Sequence, residues 1–203
     1  MPHLLQYDHA TLADTIFHEL FHSTFYLPGQ TALNESLANF AGHRAAIAFF
    51  SREVGTDAAM THLAMTNWES ELALSGFFGE SAEKLTALYA SALAGEEKLR
   101  QREVLFTRLQ DAFRLLPSPV RRLSNFTEVK LNNAIFLQQF VYLKALPLFE
   151  RIYQQHGQNL RAALTQMTEA AKTGEDPFAA VQKLADQPLQ ERLALSSFLP
   201  TPQ

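Results

Sequence analysis

The 203-residue sequence contains no cysteine, so disulfide bonds and thiolate metal ligands are excluded. Any metal ion must therefore be bound by His, Asp or Glu. Glycine is also scarce, with 8 residues, and no glycine-rich phosphate-binding loop is present. No apolar run reaches the length of a membrane span, and the N-terminal segment lacks the basic start and apolar stretch of a signal peptide. The cellular compartment stays open.

Positive charge is limited as well. The chain has 17 Lys and Arg against 21 Asp and Glu, which gives a formal net charge of −4. Because phosphate binding requires a basic face, this balance argues against nucleic acid as a partner. Apolar residues make up 47% of the chain, a proportion typical of a globular protein. The composition does not indicate an oligomeric state.

Almost every segment has the residue pattern of an α-helix, and the only candidate for an extended segment is the short piece 25–30. We expect Thr11 to cap the first helix, Gly76 and Gly79 to interrupt the chain, and Pro147 either to kink a helix or to start a new one. The predicted helices cover about 11–25, 33–53, 57–75, 81–116, 127–156, 159–172 and 177–186. The predicted fold is all-α, with little or no sheet. It forms one helical domain over 1–186, with a loose tail over 187–203.

The most informative motif is HELFH, residues 18–22, within the first predicted helix. Its spacing places His18 and His22 one turn apart on one face, so both imidazoles can bind a single ion. Catalytic zinc sites use three protein ligands and keep the fourth position for water. Glu19 borders the same face and can take a proton from that water. The alternative is an ordinary helix face without a metal, since a five-residue pattern is short.

A third ligand is available in the segment ALNESLANFAG, residues 32–42. A short turn between two helices makes them antiparallel neighbours, so Glu35 can face the histidine pair and complete a His₂Glu zinc site. Asn39 lies one turn after Glu35, and Asn34 directly precedes Glu35. Both asparagines are predicted to hydrogen-bond the outer nitrogens of the liganding histidines. The alternative role of Glu35 is to stabilise a helix N-terminus through the helix dipole.

These motifs resemble those of gluzincin metallopeptidases, and more closely those of the bacterial predicted-aminopeptidase family. Members of that family read HELAH and then FNESFA, where this chain has HELFH and LNESLA. Further similar segments are KLNNA at 130–134, the following Tyr142, and LPLFERIYQQHGQNLRAAL at 146–164. The resemblance implies a zincin-like helix pair, with Zn²⁺ bound by His18, His22 and Glu35 and with Glu19 as the general base. It also implies hydrolysis of a peptide bond in a peptide substrate.

The resemblance leaves several questions open. Members of that family carry a long region ahead of HExxH, so we expect this chain to correspond to the C-terminal part of a longer protein. The alternative function is therefore a non-catalytic helical metal-binding or interaction module. Tyr142 is a candidate donor to the oxyanion of the reaction, or else a helix-packing residue. His43 follows Glu35 by two turns on roughly the same face; it either assists the site or lies at the surface, and we expect the surface position. An aminopeptidase also needs a carboxylate or carbonyl for the substrate's free amine, and the sequence does not identify that group.

Overall fold

The computed structural model describes residues 8–186. The all-α prediction is confirmed, with no strand in this range. No helix within it has the length and hydropathy needed to cross a membrane. The predicted tail over 187–203 lies outside the described residues. The helices are α1 (His9–Thr24), α2 (Thr31–Glu53), α3 (Ala59–Ala90), α4 (Gly95–Arg114), α5 (Ser118–Arg121), α6 (Asn133–Leu143), α7 (Leu146–Gln155), α8 (Leu160–Thr173) and α9 (Pro177–Asp186).

The first two helices form an antiparallel hairpin that carries the candidate site. Asp8 caps α1, because its side chain accepts a hydrogen bond from the Thr11 backbone N–H at 2.9 Å. The prediction that Thr11 caps this helix is therefore wrong by one turn. Gly29, with a φ of 78°, provides the left-handed residue of the turn into α2. The turn is short, so the two helices pack side by side as the sequence predicts.

The two helices approach each other closely at Gly42. A Cβ there would lie 2.6 Å from Asp14 Oδ1, 2.8 Å from the Asp14 backbone oxygen and 3.1 Å from the His18 backbone nitrogen. Two of these atoms belong to the backbone of α1 and cannot move without the whole helix. Glycine at this position therefore sets the distance between α1, which bears both histidines, and α2, which bears Glu35.

The third helix is longer than predicted. α3 runs without a break from Ala59 to Ala90, so the expected interruption at Gly76 and Gly79 is wrong. The residues around the two glycines, Leu74, Ser75 and Phe78, are buried in the core. Tertiary packing of this face outweighs the cost of about 1 kcal/mol that a glycine imposes in a helix interior.

The second half of the chain contains more breaks than predicted. The long helical stretch expected over 81–116, straight or bent at Gly95, is instead interrupted, because α3 ends at Ala90 and α4 starts at Gly95. The helical segment expected over 127–156 starts later, at Asn133, and is divided into α6 and α7. Asn132 caps α6 by accepting from the Ile135 N–H at 3.0 Å, and the left-handed Ala145 (φ 66°) separates α6 from α7. Pro147 lies in the first turn of α7, which confirms the second of its two predicted roles.

Behind the hairpin, α3 and α7 pack against α2 through a cluster of aromatic and charged groups. The Arg44 guanidinium donates to Glu150 Oε2 at 2.9 Å and lies over the rings of Trp68 at 5.3 Å and Tyr153 at 4.6 Å. Trp68 Nε1 donates to the same carboxylate at 3.2 Å. These bonds satisfy the charges of a partly buried ion pair. They also fix α2, and Glu35 with it, against the rest of the bundle.

Candidate metal centre

Three predicted ligands meet where α1 faces the start of α2. The Nε2 atoms of His18 and His22 are 3.1 Å apart, and Glu35 Oε2 lies 3.4 Å from the first and 3.6 Å from the second. All three side chains are largely buried. Within the described residues, they form the group of His and acidic side chains that could hold a metal ion. The antiparallel hairpin thus brings together the residues that the sequence separates into two motifs.

The spacing of these donors matches the demands of a tetrahedral ion. Two ligands at about 2.0–2.1 Å from zinc and at the tetrahedral angle lie about 3.3–3.4 Å from each other. The three observed separations, from 3.1 to 3.6 Å, bracket this value. Two imidazole nitrogens and one carboxylate oxygen are also a donor set that suits zinc. The residues present therefore fit a zinc ion.

The electrostatics of His18 also favour metal binding. Burial lowers the pKa of His18 below its ordinary value, and the neighbouring His22 lowers it further, although Glu35 and Glu19 oppose this. The neutral imidazole keeps the lone pair that a metal requires. His22 Nδ1, the outer nitrogen of the second ligand, is buried and has no hydrogen-bond partner among the described residues.

The two asparagines predicted to support the histidines bond elsewhere. Asn34 accepts from the Leu27 N–H at 2.9 Å and donates to the Leu27 carbonyl at 2.8 Å, so it closes the turn between α1 and α2. Asn39 donates to Glu71 Oε2 at 3.4 Å and to the Tyr142 carbonyl at 3.2 Å. The turn and α3 offer these amides nearer partners than the imidazoles. The predicted hydrogen bonds to the histidines are therefore not formed.

The two predicted catalytic side chains are both accessible to solvent. Glu19 is exposed on α1, and its charge acts on both His18 and the Tyr142 phenol. The Tyr142 ring, on α6, lies 6.3 Å from the His18 ring between centroids, and the residue is 44% exposed. Burial of the phenol, followed by the charges of Glu35 and Glu19, raises the pKa of Tyr142 above its ordinary value. The phenol therefore stays protonated and able to donate.

A second layer of ionisable groups lies behind the ligands. Asp14 precedes His18 by one turn of α1, and its Oδ2 is 3.5 Å from His43 Nε2. His43 is 6% exposed, so the expectation of a surface histidine is wrong; it packs against the Trp68 ring at 5.4 Å between centroids. Burial, with smaller contributions from His18 and Arg44, lowers the pKa of His43 to about 3. This histidine is therefore neutral at physiological pH.

Comparison with known families adds an independent observation. The family model described as "Putative aminopeptidase" matches residues 1–192 of the chain. The chain belongs to this family. The predicted resemblance to the aminopeptidase family is thereby confirmed, and membership of this family is consistent with peptidase activity on peptide substrates. No curated protein and no solved structure matches the chain.

Within this member of the aminopeptidase family, sequence reasoning missed three residues near the centre. Asp14 had a usable signal, because it precedes His18 by the same four residues that separate His18 from His22. His43 had a weaker one, since it lies two turns beyond Glu35. Glu71 had none: it belongs to α3, and only the tertiary packing of α3 against the hairpin brings it to Asn39.

Proposed function

We propose that this chain is a zinc-dependent peptidase that removes residues from the free amino end of peptides. The observation that supports this most strongly is the convergence of His18 Nε2, His22 Nε2 and Glu35 Oε2 at separations of 3.1 to 3.6 Å. Membership of the aminopeptidase family supports the reaction class. In this proposal His18, His22 and Glu35 are the ligands of the ion.

When bound, zinc lowers the pKa of a coordinated water to near 7 and polarises a carbonyl group. Glu19 follows His18 directly in the sequence, and in this proposal its exposed carboxylate would accept the proton of the attacking water. The same carboxylate returns the proton to the leaving amine, so it ends the cycle in its starting state. Tyr142 keeps its phenolic proton and donates it as a hydrogen bond to the oxygen that becomes negative as the carbonyl is attacked.

Replacing Glu19 by Gln tests the mechanism. Because Glu19 is not a ligand, the variant should keep one equivalent of zinc, measured by elemental mass spectrometry. It should lose about 10²–10⁴-fold in kcat/KM on an aminoacyl amide of 7-amino-4-methylcoumarin, the range that a general base contributes. Glu83→Gln is the matched control, since Glu83 is exposed on α3 and should leave both zinc content and activity unchanged.

A ligand variant supplies the complementary result. His22→Ala removes one of three donors, so it should lose both zinc and activity. The proposal is overturned by unit zinc binding without hydrolysis, or by hydrolysis that Glu19→Gln leaves intact. The first of these outcomes would instead identify a helical metal-binding module without catalysis.

A further inference from the structure

A small cavity opens beside the metal centre. Its volume is about 280 Å³, and it is lined by residues of α2, α3 and α6 that include Asn39, Glu71, Leu74, Gln138 and Tyr142. Tyr142 borders both the cavity and the His18 ring, so the two spaces adjoin. The cavity is smaller than the roughly 300–1,000 Å³ of sites for drug-sized ligands. Its size suits one end of a peptide rather than a long segment.

Glu71 is the one charged side chain among the described residues that line this cavity. Its only hydrogen-bond donor in the described part of the chain is the Asn39 amide, at 3.4 Å, and no Lys, Arg or His there forms an ion pair with it. Burial without a cation raises the pKa of Glu71 to about 7, and the bond from Asn39 offsets this only in part. A buried carboxylate without a counter-charge is costly unless a ligand supplies one.

The position of Glu71 relative to the ligands is set by two neighbours. Asn39, which donates to Glu71, lies one helical turn after Glu35, and Asp14, whose pKa the Glu71 charge raises, lies one turn before His18. Side chains four residues apart on a helix lie about 5–6 Å apart. Glu71 therefore lies beside the metal centre, next to the residues that follow Glu35 and precede His18 by one turn.

A carboxylate beside the metal centre suits the first residue of a peptide. The α-nitrogen of an amino acid lies about 2.5 Å from its own carbonyl carbon. A charge-assisted hydrogen bond from this nitrogen adds about 2.8 Å. The group that binds the terminal ammonium must therefore lie close to the scissile carbonyl, in a space that adjoins the metal, and Glu71 lines such a space.

We propose that Glu71 binds the α-ammonium group of the substrate and so restricts cleavage to the first peptide bond. This inference rests on the proposed peptidase function, and it assigns the group that an aminopeptidase requires. Asn39 holds the carboxylate in place through its amide, whose second contact is the Tyr142 backbone carbonyl. Asp14 is less suited to this role, because it faces His43 and does not line the cavity.

The experiment compares two substrates that differ only at the amine: the leucyl amide of 7-amino-4-methylcoumarin and its N-acetyl derivative. The wild-type enzyme should prefer the free amine strongly. Glu71→Gln should lower kcat/KM on the free amine by about 100-fold, mainly through KM, and leave the N-acetyl substrate unaffected, so the preference collapses. Glu71→Asp, which keeps the negative charge on a shorter side chain, should retain part of the preference for the free amine. Glu83→Gln is the matched control on the same helix.

The ratio between the two substrates is an internal control for folding, because a damaged enzyme loses both activities together. A preference that persists in Glu71→Gln overturns the inference, and so does an equal loss on both substrates. A binding measurement separates this failure from failure of the proposed function. In zinc-loaded Glu19→Gln protein, calorimetry with Leu-Gly and acetyl-Leu-Gly should show a preference for the free amine that Glu71→Gln removes. Without that preference the inference fails, whether or not the chain hydrolyses peptides.

Discussion

At the residue scale, two carboxyl groups next to the candidate metal centre, those of Asp14 and Glu71, have no cationic partner within residues 8–186. Burial, with a smaller effect of the Glu71 charge, raises the pKa of Asp14 to about 8. The His43 imidazole opposite it stays neutral because burial lowers its pKa to about 3. At neutral pH the 3.5 Å contact between them therefore joins a protonated acid to a neutral imidazole. The acid can donate to the imidazole, so neither group leaves a buried charge beside the ligands.

Asp14→Asn tests this assignment, because the amide imitates the neutral acid. The unfolded chain loses the Asp14 proton near pH 3.8, whereas the folded protein keeps it until about pH 8. Its contribution to stability is therefore fully present below pH 3.8 and is lost as the pH rises through about 8. The variant should gain at least about 1 kcal/mol of unfolding free energy relative to wild type between pH 5 and pH 9.

Urea unfolding of the zinc-free protein measures this difference. Asp57→Asn, at an exposed position, is the control and should show no such trend. A relative stability of Asp14→Asn that falls with rising pH would mean that the native state uses the ionised carboxylate.

At the element scale, the α1–α2 hairpin is the unit that assembles the ligands, and its spacing depends on Gly42. Gly42→Ala introduces a Cβ 2.8 Å from a backbone oxygen of α1, so the helices must separate. We expect a loss of about 1–3 kcal/mol in unfolding free energy, as for overpacked cores. Zinc affinity should fall too, because the separation moves His18 and His22 away from Glu35.

Gly76→Ala is the matched comparison. Gly76 is exposed within α3, and a Cβ there meets no atom within 4 Å. The same substitution should therefore stabilise the protein by about 0.5–1 kcal/mol and leave zinc binding unchanged. Calorimetric zinc titration and urea unfolding of both variants provide the measurement. Equal effects of the two substitutions would show that Gly42 does not set the helix spacing.

The same helices show what could be predicted from the sequence. Local signals were reliable where a side chain acts on its own turn: at the start of the predicted helices 159–172 and 177–186, Asn159 and Asp176 accept from N–H groups three residues on, at 3.0 and 3.1 Å. The HELFH and NES spacings predicted the approach of the three candidate ligands because helix periodicity and a short turn leave little freedom. The continuity of α3 through Gly76 could not be read, because it depends on core partners distant in sequence.

At the scale of the whole molecule, the candidate site draws on elements far apart in the chain. The ligands come from the first two helices, but Glu71 comes from α3 and Tyr142 from α6. One continuous core, from Phe21 on α1 to Ala185 on α9, holds these elements together. This is why the ligands could be predicted from local spacing, whereas the group that we propose for the substrate's amine could not.

Because the candidate site depends on the folded hairpin, we predict that zinc binds the native state and not the unfolded chain. Three donors within 3.6 Å of one another come from two helices, so the unfolded chain does not present them together. Zinc at 100 times its dissociation constant should therefore stabilise the protein by about 2.7 kcal/mol. For a chain of this length, that corresponds to a rise of about 5–10 °C in Tm.

Differential scanning calorimetry with zinc and with a chelator measures this shift. Glu35→Gln should abolish it, because the variant loses the only anionic ligand, whereas Glu83→Gln should show the full wild-type shift. The comparison is made within each variant, so a change in metal-free stability does not affect it. An equal zinc-dependent shift in Glu35→Gln would place the ion elsewhere on the molecule. In that case, the approach of Glu35 to His18 and His22 would be a feature of helix packing alone.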